Sequence, residues 1–380
     1  MYARISRRLV PAVAVTVAAL AAVAAGSSAP LSKRPPVPAQ LKRDIAAVSK
    51  LKGSARQAKL VNLAKAEGGE INVYTSLSSL VLKPLQAAWK DQFPDIKLNV
   101  YRASSEDVTA KVLAERKAHT SGADIIETNG TNMLFFQAFK DVLVPYTKSP
   151  YRAGVAKPYR FDTFTADRLE KFVVAWNTNL VPSGQEPRSF QALANAKWKG
   201  KLAVEPTDVD WWAALYLWQR KHGNNGKRMS AKKLNAMWRA IMSNAQLING
   251  HTNQATALAA GQVFVIVSGH AQSIEQLQAK HAPIAFSPFV KPVVERPQGI
   301  GIAYRLPHPA GALLFYDWVL SPVGQKLMLQ NGVQPARRGL IDNAFESNPF
   351  TIKINLRPIV ANYAKWQKTY DSFTRLGKGS

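Results

Sequence analysis

The sequence predicts an α/β protein built as two lobes, and three observations carry that expectation. The chain has 380 residues, more than one compact core usually holds, so two cores are expected. Short runs of strand formers alternate with segments of helical spacing, the order that builds a largely parallel sheet. Polar turns recur where strand gives way to helix, which in open α/β sheets is where ligands settle.

The unit around which the chain is organised runs from Glu70 to Ser79. Ile71, Val73 and Tyr74 read as a strand, Thr75, Ser76 and Ser78 as a hydroxyl-rich turn, and Leu80, Leu82, Leu85, Ala88 and Trp89 begin helical spacing. Those hydroxyls serve either as helix caps or as ligand donors beside the N–H groups of a helix start. A second unit pairs the strand Ile96, Leu98, Val100, Tyr101 with a turn in which Ser104 or Ser105, followed by Glu106 and Asp107, reads as a cap. The strand Ala123–Glu127 ends in Thr128, Asn129 and Gly130, a second polar turn of the ligand-holding kind.

The apolar run from Lys171 to Asn179 reads as a strand passing between lobes. After Pro206 a helix opens with Asp208, Asp210 and Trp211. Two readings stay open there: dipole capping plus core packing, or an acidic and aromatic wall for a cationic ligand. The strand that ends in Ser268, Gly269 and His270 supplies a third polar turn. His270 has no catalytic partner in the sequence and reads as a hydrogen-bonding or structural group. Gly299–Tyr304 reads as a strand returning to the first lobe, followed by helices before and after Ser321–Pro322. From Asn348 the tail reads as irregular, with one amphipathic helix around Ile359, Tyr363 and Trp366.

The N-terminus reads as an address. Arg4, Arg7 and Arg8 precede an Ala/Val/Leu run from Leu9 to Ala25, the layout of a signal peptide over residues 1–29, with a single anchoring helix as the alternative. Residues 30–69 then form a Pro-rich spacer and helical extension that either packs on the first lobe or holds the protein off a membrane. Up to Lys65 the chain carries many Lys and Arg against one acid, Asp44, so part of the net charge of +26 belongs to this segment. The remaining basic residues are scattered among acids, without the aromatic-interleaved stripe of a nucleic-acid groove. Cysteine is absent, which excludes disulfides, thiolate metal sites and a cysteine nucleophile.

Six motifs taken together resemble a known family: INVYTSLSS, ADIIETNG, VVAWNTN, WKGKLAVEP, ALAAGQVFVIVSGH and LLFYDWVLSPVGQKLMLQNG. In order and spacing they are similar to extracellular solute-binding proteins of ABC importers, in the branch that includes ferric-iron-binding proteins, over about residues 70 to 345. The resemblance implies a type II periplasmic-binding-protein fold, two α/β lobes joined by hinge strands, with lobe 1 at 70–171 plus 300–345, lobe 2 at 172–299 and a C-terminal tail at 346–380. It implies an exported monomer without catalytic residues or cofactor. Such a protein captures a small solute by hinge closure and hands it to a membrane permease with its ATPase subunit.

The iron ligands of those relatives do not carry over. Their His, Glu and paired Tyr align near Ser78, Asn129 and Ala271–Gln272, groups that cannot replace phenolates and a carboxylate around a hard trivalent ion. No metal site is therefore expected, with ferric-iron or anion binding as the alternative. The expected ligand residues are Thr75, Ser76, Ser78, Asn129, Asp208, Asp210, Trp211, Ser268 and His270, around a polar organic solute that bears an amine. Of other classes, an exported hydrolase could cast Ser76 and His270 as nucleophile and base, but no Gly-x-Ser-x-Gly elbow surrounds any serine. An envelope-binding protein would instead use the basic surface.

Overall fold

The computed structural model describes residues 33–223, 228–286, 290–340 and 351–374; the expected signal peptide lies outside them. Ten strands form one sheet: β1 Glu70–Thr75, β2 Lys97–Arg102, β3 Ile125–Asn129, β4 Thr165–Asn177, β5 Leu202–Val204, β6 Ala245–Leu247, β7 Val265–His270, β8 Ile284–Phe286, β9 Val293–Ile302 and β10 Thr351–Lys353. Their order is β2-β1-β3-β9-β4-β7-β5-β6, with β8 beside β4 and β10 beside β9. β1 pairs parallel with β2 and β3, and β5 pairs parallel with β6 and β7.

Between these parallel halves, β4 and β9 run antiparallel from Thr165↔Ile300 to Phe172↔Val294. The far end of β9 continues against β3 and the far end of β4 against β7, so each long strand belongs to both lobes. The expected hinge strand is therefore present, but β4 begins at Thr165 rather than at residue 171, and β9 begins at Val293 rather than at Gly299. The added stretches bury Asp167, Arg168, Glu170, Glu295 and Arg296. A strand rich in charge reads as exposed because alternation counts side chains singly, and pairing between strands is what lets these charges be buried.

Local capping follows the sequence closely. Ser104 accepts from the Asp107 N–H at 3.1 Å and Asn129 from the Asn132 N–H at 2.9 Å, so both start helices as side-chain caps. The helices are Ser105–Lys117 and Gly130–Phe139. The break at Ser321–Pro322 separates helices Pro309–Leu320 and Pro322–Gln330, Pro being tolerated at a first helical position.

The N-terminal extension packs on the body of the protein. Helices Ala39–Val48 and Gly53–Ala66 bury Leu41, Val48, Leu60 and Ala64 against the same core as Ile71 and Leu313. Arg56 is buried among them: Nε meets Asp317 Oδ2 at 2.6 Å, and the two Nη atoms donate to the Val48 carbonyl at 2.7 Å and to the Tyr146 hydroxyl at 2.9 Å. Glu67 accepts from the Ala310 N–H and from the Gly311 N–H at 2.9 and 3.4 Å through Oε2, closing the open N-terminus of helix Pro309–Leu320 from outside that helix. Replacing Glu67 by Ala is expected to lower the unfolding free energy by about 1 to 2 kcal/mol, the range for a lost cap, as read by urea unfolding; no change would show that the carboxylate is not capping that helix.

The tail is more ordered than its sequence suggests. β10 pairs with the start of β9, and two helices follow, Leu356–Ala361 and Tyr363–Thr374. Residues 341–350 and 375–380 lie outside the described residues. No helix among the described residues is long and apolar enough to cross a membrane.

Candidate functional site

A cleft of about 350 Å³ opens where the lobes face each other. The first lobe contributes Ser76 and Ser78 from the turn after β1, Arg102 at the end of β2, Ser104 to Asp107 at one helix start and Asn129, Thr131 and Asn132 at another. Glu205, Thr207, Asp208 and Asp210 come from the second lobe, with Asn249 to Asn253, His270, Gln272 and Ser273, while the hinge strands add Arg168, Glu170, Arg296 and Gln298. The turns after β1, β3 and β7 thus meet at one cleft, as the strand-to-helix pattern implied.

Of the nine residues expected here, six line the cleft: Ser76, Ser78, Asn129, Asp208, Asp210 and His270. Three do not. Thr75 is buried behind the wall, its hydroxyl donating to the Glu127 carboxylate and accepting from the Leu77 N–H at 2.9 Å, so it braces the turn. Trp211 is 1% exposed, its ring 5.8 Å from Trp238 and 6.0 Å from Phe172. On a helix whose first residues meet the cleft, an indole one position after Asp210 rotates by about 100° into the core, so the aromatic wall expected of it is absent. Ser268 is completely buried, its place inside β7 putting it two residues short of the turn that His270 reaches.

Asp208 occupies the N-cap position of helix Val209–His222 without making a side-chain cap bond, so the plain capping reading fails for it. Its Oδ1 lies 3.3 Å from His251 Nε2 and 3.7 Å from Arg296 Nη1, while Oδ2 is buried without a hydrogen-bond partner among the described residues. Asp210 is held more fully. Arg296 Nη1 reaches its Oδ1 at 3.1 Å, and the Thr131 hydroxyl donates to its Oδ2 at 2.6 Å. Since Thr131 sits on the first lobe and Asp210 on the second, that hydrogen bond crosses the cleft.

The hinge strands supply residues that the sequence did not advertise. Arg168 joins Glu127 through Nη1, Asp167 at 3.0 Å and Glu170 at 3.4 Å, all buried. Arg296 lies over the Phe172 ring at 4.6 Å, a cation–π contact. His251 and His270 stack with centroids 3.5 Å apart. Burial opposes charge on His251, but Asp208 and then Glu205 outweigh it and its pKa is raised. His270 is pushed well below its ordinary value by burial first, then by His251, Arg296 and Arg168. With Nδ1 3.5 Å from Glu170 Oε2, the neutral His270 ring leaves Nε2 without a partner among the described residues.

Carboxylates outnumber guanidinium groups in the cleft. Glu106, Asp107, Glu170, Glu205, Asp208 and Asp210 face Arg102, Arg168 and Arg296, six acids against three strong bases in a chain of net charge +26. Burial, the largest cause in each case, raises the pKa of Glu106 and Glu170 and lifts that of Glu205 to about 7, His251 opposing and Asp208 adding to the rise at Glu205. The raised pKa of Glu205 also fixes a sign. Its contribution to ligand-free stability is full below its unfolded value of about 4.5 and is lost as pH rises through about 7. Urea unfolding of the Glu205→Gln variant should therefore show less decline across that window than the parent; an equal decline would remove Glu205 as its source.

The positions aligned with iron ligands, Ser78, Asn129, Ala271 and Gln272, carry no ionisable group. Among the described residues no group of three His, Asp or Glu is placed to hold a metal ion.

The pattern of the bacterial extracellular solute-binding proteins matches residues 75–326. Among solved structures, the apo ferric ion-binding protein A of Pasteurella haemolytica is similar with TM-score 0.65 and 18% identity, over 82% of this chain and 99% of its own. The periplasmic binding protein AfuA of Actinobacillus pleuropneumoniae, solved with fructose-6-phosphate bound, gives 0.63 and 18%, over 82% and 99%. The substrate binding protein of an ABC transporter from Agrobacterium tumefaciens gives 0.68 and 11%, over 82% and 96%. No curated protein matches by sequence. At these identities the structural likenesses show the fold, the two-lobed α/β architecture of periplasmic binding proteins. The family match spans well over half of the chain, and the chain therefore belongs to the bacterial extracellular solute-binding proteins, the substrate-binding components of ABC importers.

Proposed function

We propose that this protein captures a small, amine-bearing polar solute in the interlobe cleft and presents it to a membrane permease driven by an ATPase subunit. The observation that carries the reading is the excess of carboxylate in the cleft, six acids against three guanidinium groups. Two buried acceptors support it, Asp208 Oδ2 and Gln272 Oε1, each without a hydrogen-bond partner among the described residues, since an ammonium group offers donors and charge together. The hydroxyls of Ser76 and Ser78, beside the start of a helix, suit an acidic group at the other end of a zwitterion.

On this reading the first lobe comprises about residues 70–171 and 300–345 with the N-terminal extension packed on it, the second about 172–299, and the solute holds them together. A ligand shifts closure only through unequal affinity for open and closed states, and a solute touching Ser78 on one lobe and Asp208 on the other has that property. The protein acts as an exported monomer, released from a signal peptide ahead of the Pro-rich spacer, and performs no chemistry on its solute.

A thermal-shift screen against amines, amino acids, phosphonates and ferric salts tests the reading, because a ligand at a hundred times its dissociation constant stabilises by about 2.7 kcal/mol. Amines or amine-bearing zwitterions are expected to shift the midpoint. A shift by phosphonates or ferric salts alone would contradict the proposal. For the amine that binds, Asp208→Asn is expected to cost about 1 to 3 kcal/mol of affinity and Ser78→Ala about 0.5 to 1.5 kcal/mol, both read by calorimetry against unfolding midpoints measured without ligand.

A further inference from the structure

We propose that the C-terminal segment forms a third wall of the cleft and that Tyr363 is a ligand-contacting, specificity-determining residue, its ring and hydroxyl receiving the cationic end of the solute beside Asp210 and Glu106. The choice of a cationic partner rests on the function proposed above; the contact itself does not. Tyr363 and Gln367 both line the cleft, and Tyr363 is the one Phe, Tyr or Trp among the described residues that do so. The aromatic group that Trp211 cannot present is thus supplied from the C-terminal tail.

The segment is held well enough to act as a wall. β10 pairs with β9 at Val293 to Glu295, directly ahead of Arg296. Leu356 then settles on the helix start at Gly130, so closely that a Cβ there would lie 2.7 Å from its Cδ1. The Tyr363 ring meets Phe135 edge-on, with centroids 5.1 Å apart, an arrangement aromatic pairs favour. Beyond it, Trp366, Tyr370 and Phe373 surround Trp212 of the second lobe, and the Tyr370 hydroxyl donates to the Glu205 carbonyl at 2.7 Å. Residues 351–374 therefore touch the hinge, the first lobe and the second lobe in turn, and Tyr363 stands where the lobes meet. Burial first, then the charges of Asp210 and Glu106, raises its phenol pKa, which keeps the hydroxyl protonated and able to donate as well as accept. An ammonium group between those carboxylates would lie beside the ring, whose π-system attracts a cation.

The test uses the mature protein and two substitutions, Tyr363→Phe, which keeps the ring and removes the hydroxyl, and Tyr363→Leu, which removes the ring. Putrescine, glycine betaine and inorganic phosphate serve as probes, with dissociation constants from calorimetry and unfolding midpoints measured without ligand. The expected result is that Tyr363→Leu weakens putrescine or glycine betaine about 3- to 30-fold, the size of a desolvated cation–π contact, that Tyr363→Phe weakens it less, and that the Phe variant unfolds at the parent midpoint. If a cationic probe binds the parent and both variants equally, the third wall is wrong while the cationic cleft stands. Should phosphate alone bind, and bind Tyr363→Phe more weakly than the parent, the cationic reading is wrong while the contact stands.

Discussion

Replacing Arg168 by Met is expected to lower the unfolding free energy by about 3 to 5 kcal/mol at neutral pH, the cost of stranding buried charge. Arg168 is 3% exposed and serves Glu127, Asp167 and Glu170 together, at the point where β4 passes from one lobe to the other. Burial chiefly, opposed by Arg168 itself, lifts the Asp167 pKa to about 7. Without the guanidinium Asp167 and Glu170 must take up protons to remain buried. The sign follows: the variant binds more protons when folded than when unfolded, so its deficit grows as pH rises from about 5 to about 8. Urea unfolding at both ends of that range checks it. A loss below about 1 kcal/mol at the upper pH would mean that solvent screens the cluster and that the hinge is not built on it.

An effect of similar size is expected at the N-terminal extension. Arg56→Met leaves Asp317 buried opposite a methyl group and removes a donor from Tyr146, so about 3 to 5 kcal/mol should be lost. Burial, the largest cause, already raises the Asp317 pKa, with Arg56 opposing it. Arg56→Lys should recover only part of the loss, because three separate acceptors lie around a planar fork that an ammonium group does not match. Limited proteolysis near Ser49–Lys52, the link between the two helices of the extension, reports whether the segment has come loose. Stability and resistance equal to the parent would show that the extension is an accessory and not part of the first lobe.

What could be read in the sequence was whatever local chemistry decides. The β1 turn, the cap at Ser104 and the helix break at Ser321 follow from residue types within a few positions, whereas Asn129, read as a ligand contact, also caps its helix. The convergence of Ser76, Asn129 and His270 followed because turns at the carboxyl ends of strands share one edge of the sheet. Long-range pairing was invisible. Arg296 sits in Val293 to Gln298, ahead of the strand expected from Gly299, yet pairing with β4 makes the stretch a buried strand and Asp208 and Asp210 meet the guanidinium there. Tyr363 read as one residue of an amphipathic tail helix, since nothing within its own helix shows that Phe135 and the cleft lie beside it. Trp211 misled for the opposite reason, because adjacency to Asp210 in sequence suggested adjacency in the site.

The claim that the cleft is built for a cation is tested most directly by calorimetric titration with putrescine between about pH 5 and about pH 8. Burial raises the pKa of Glu106 and Glu170 and lifts that of Glu205 to about 7, so Glu205 carries a proton at the lower end of that range that an arriving ammonium group must displace. The account predicts that putrescine binds at least about tenfold more tightly at the upper pH, a difference of about 1.4 kcal/mol, and that protons are released to the buffer on binding. Affinity that is flat or falls with rising pH, or proton uptake in place of release, would contradict it.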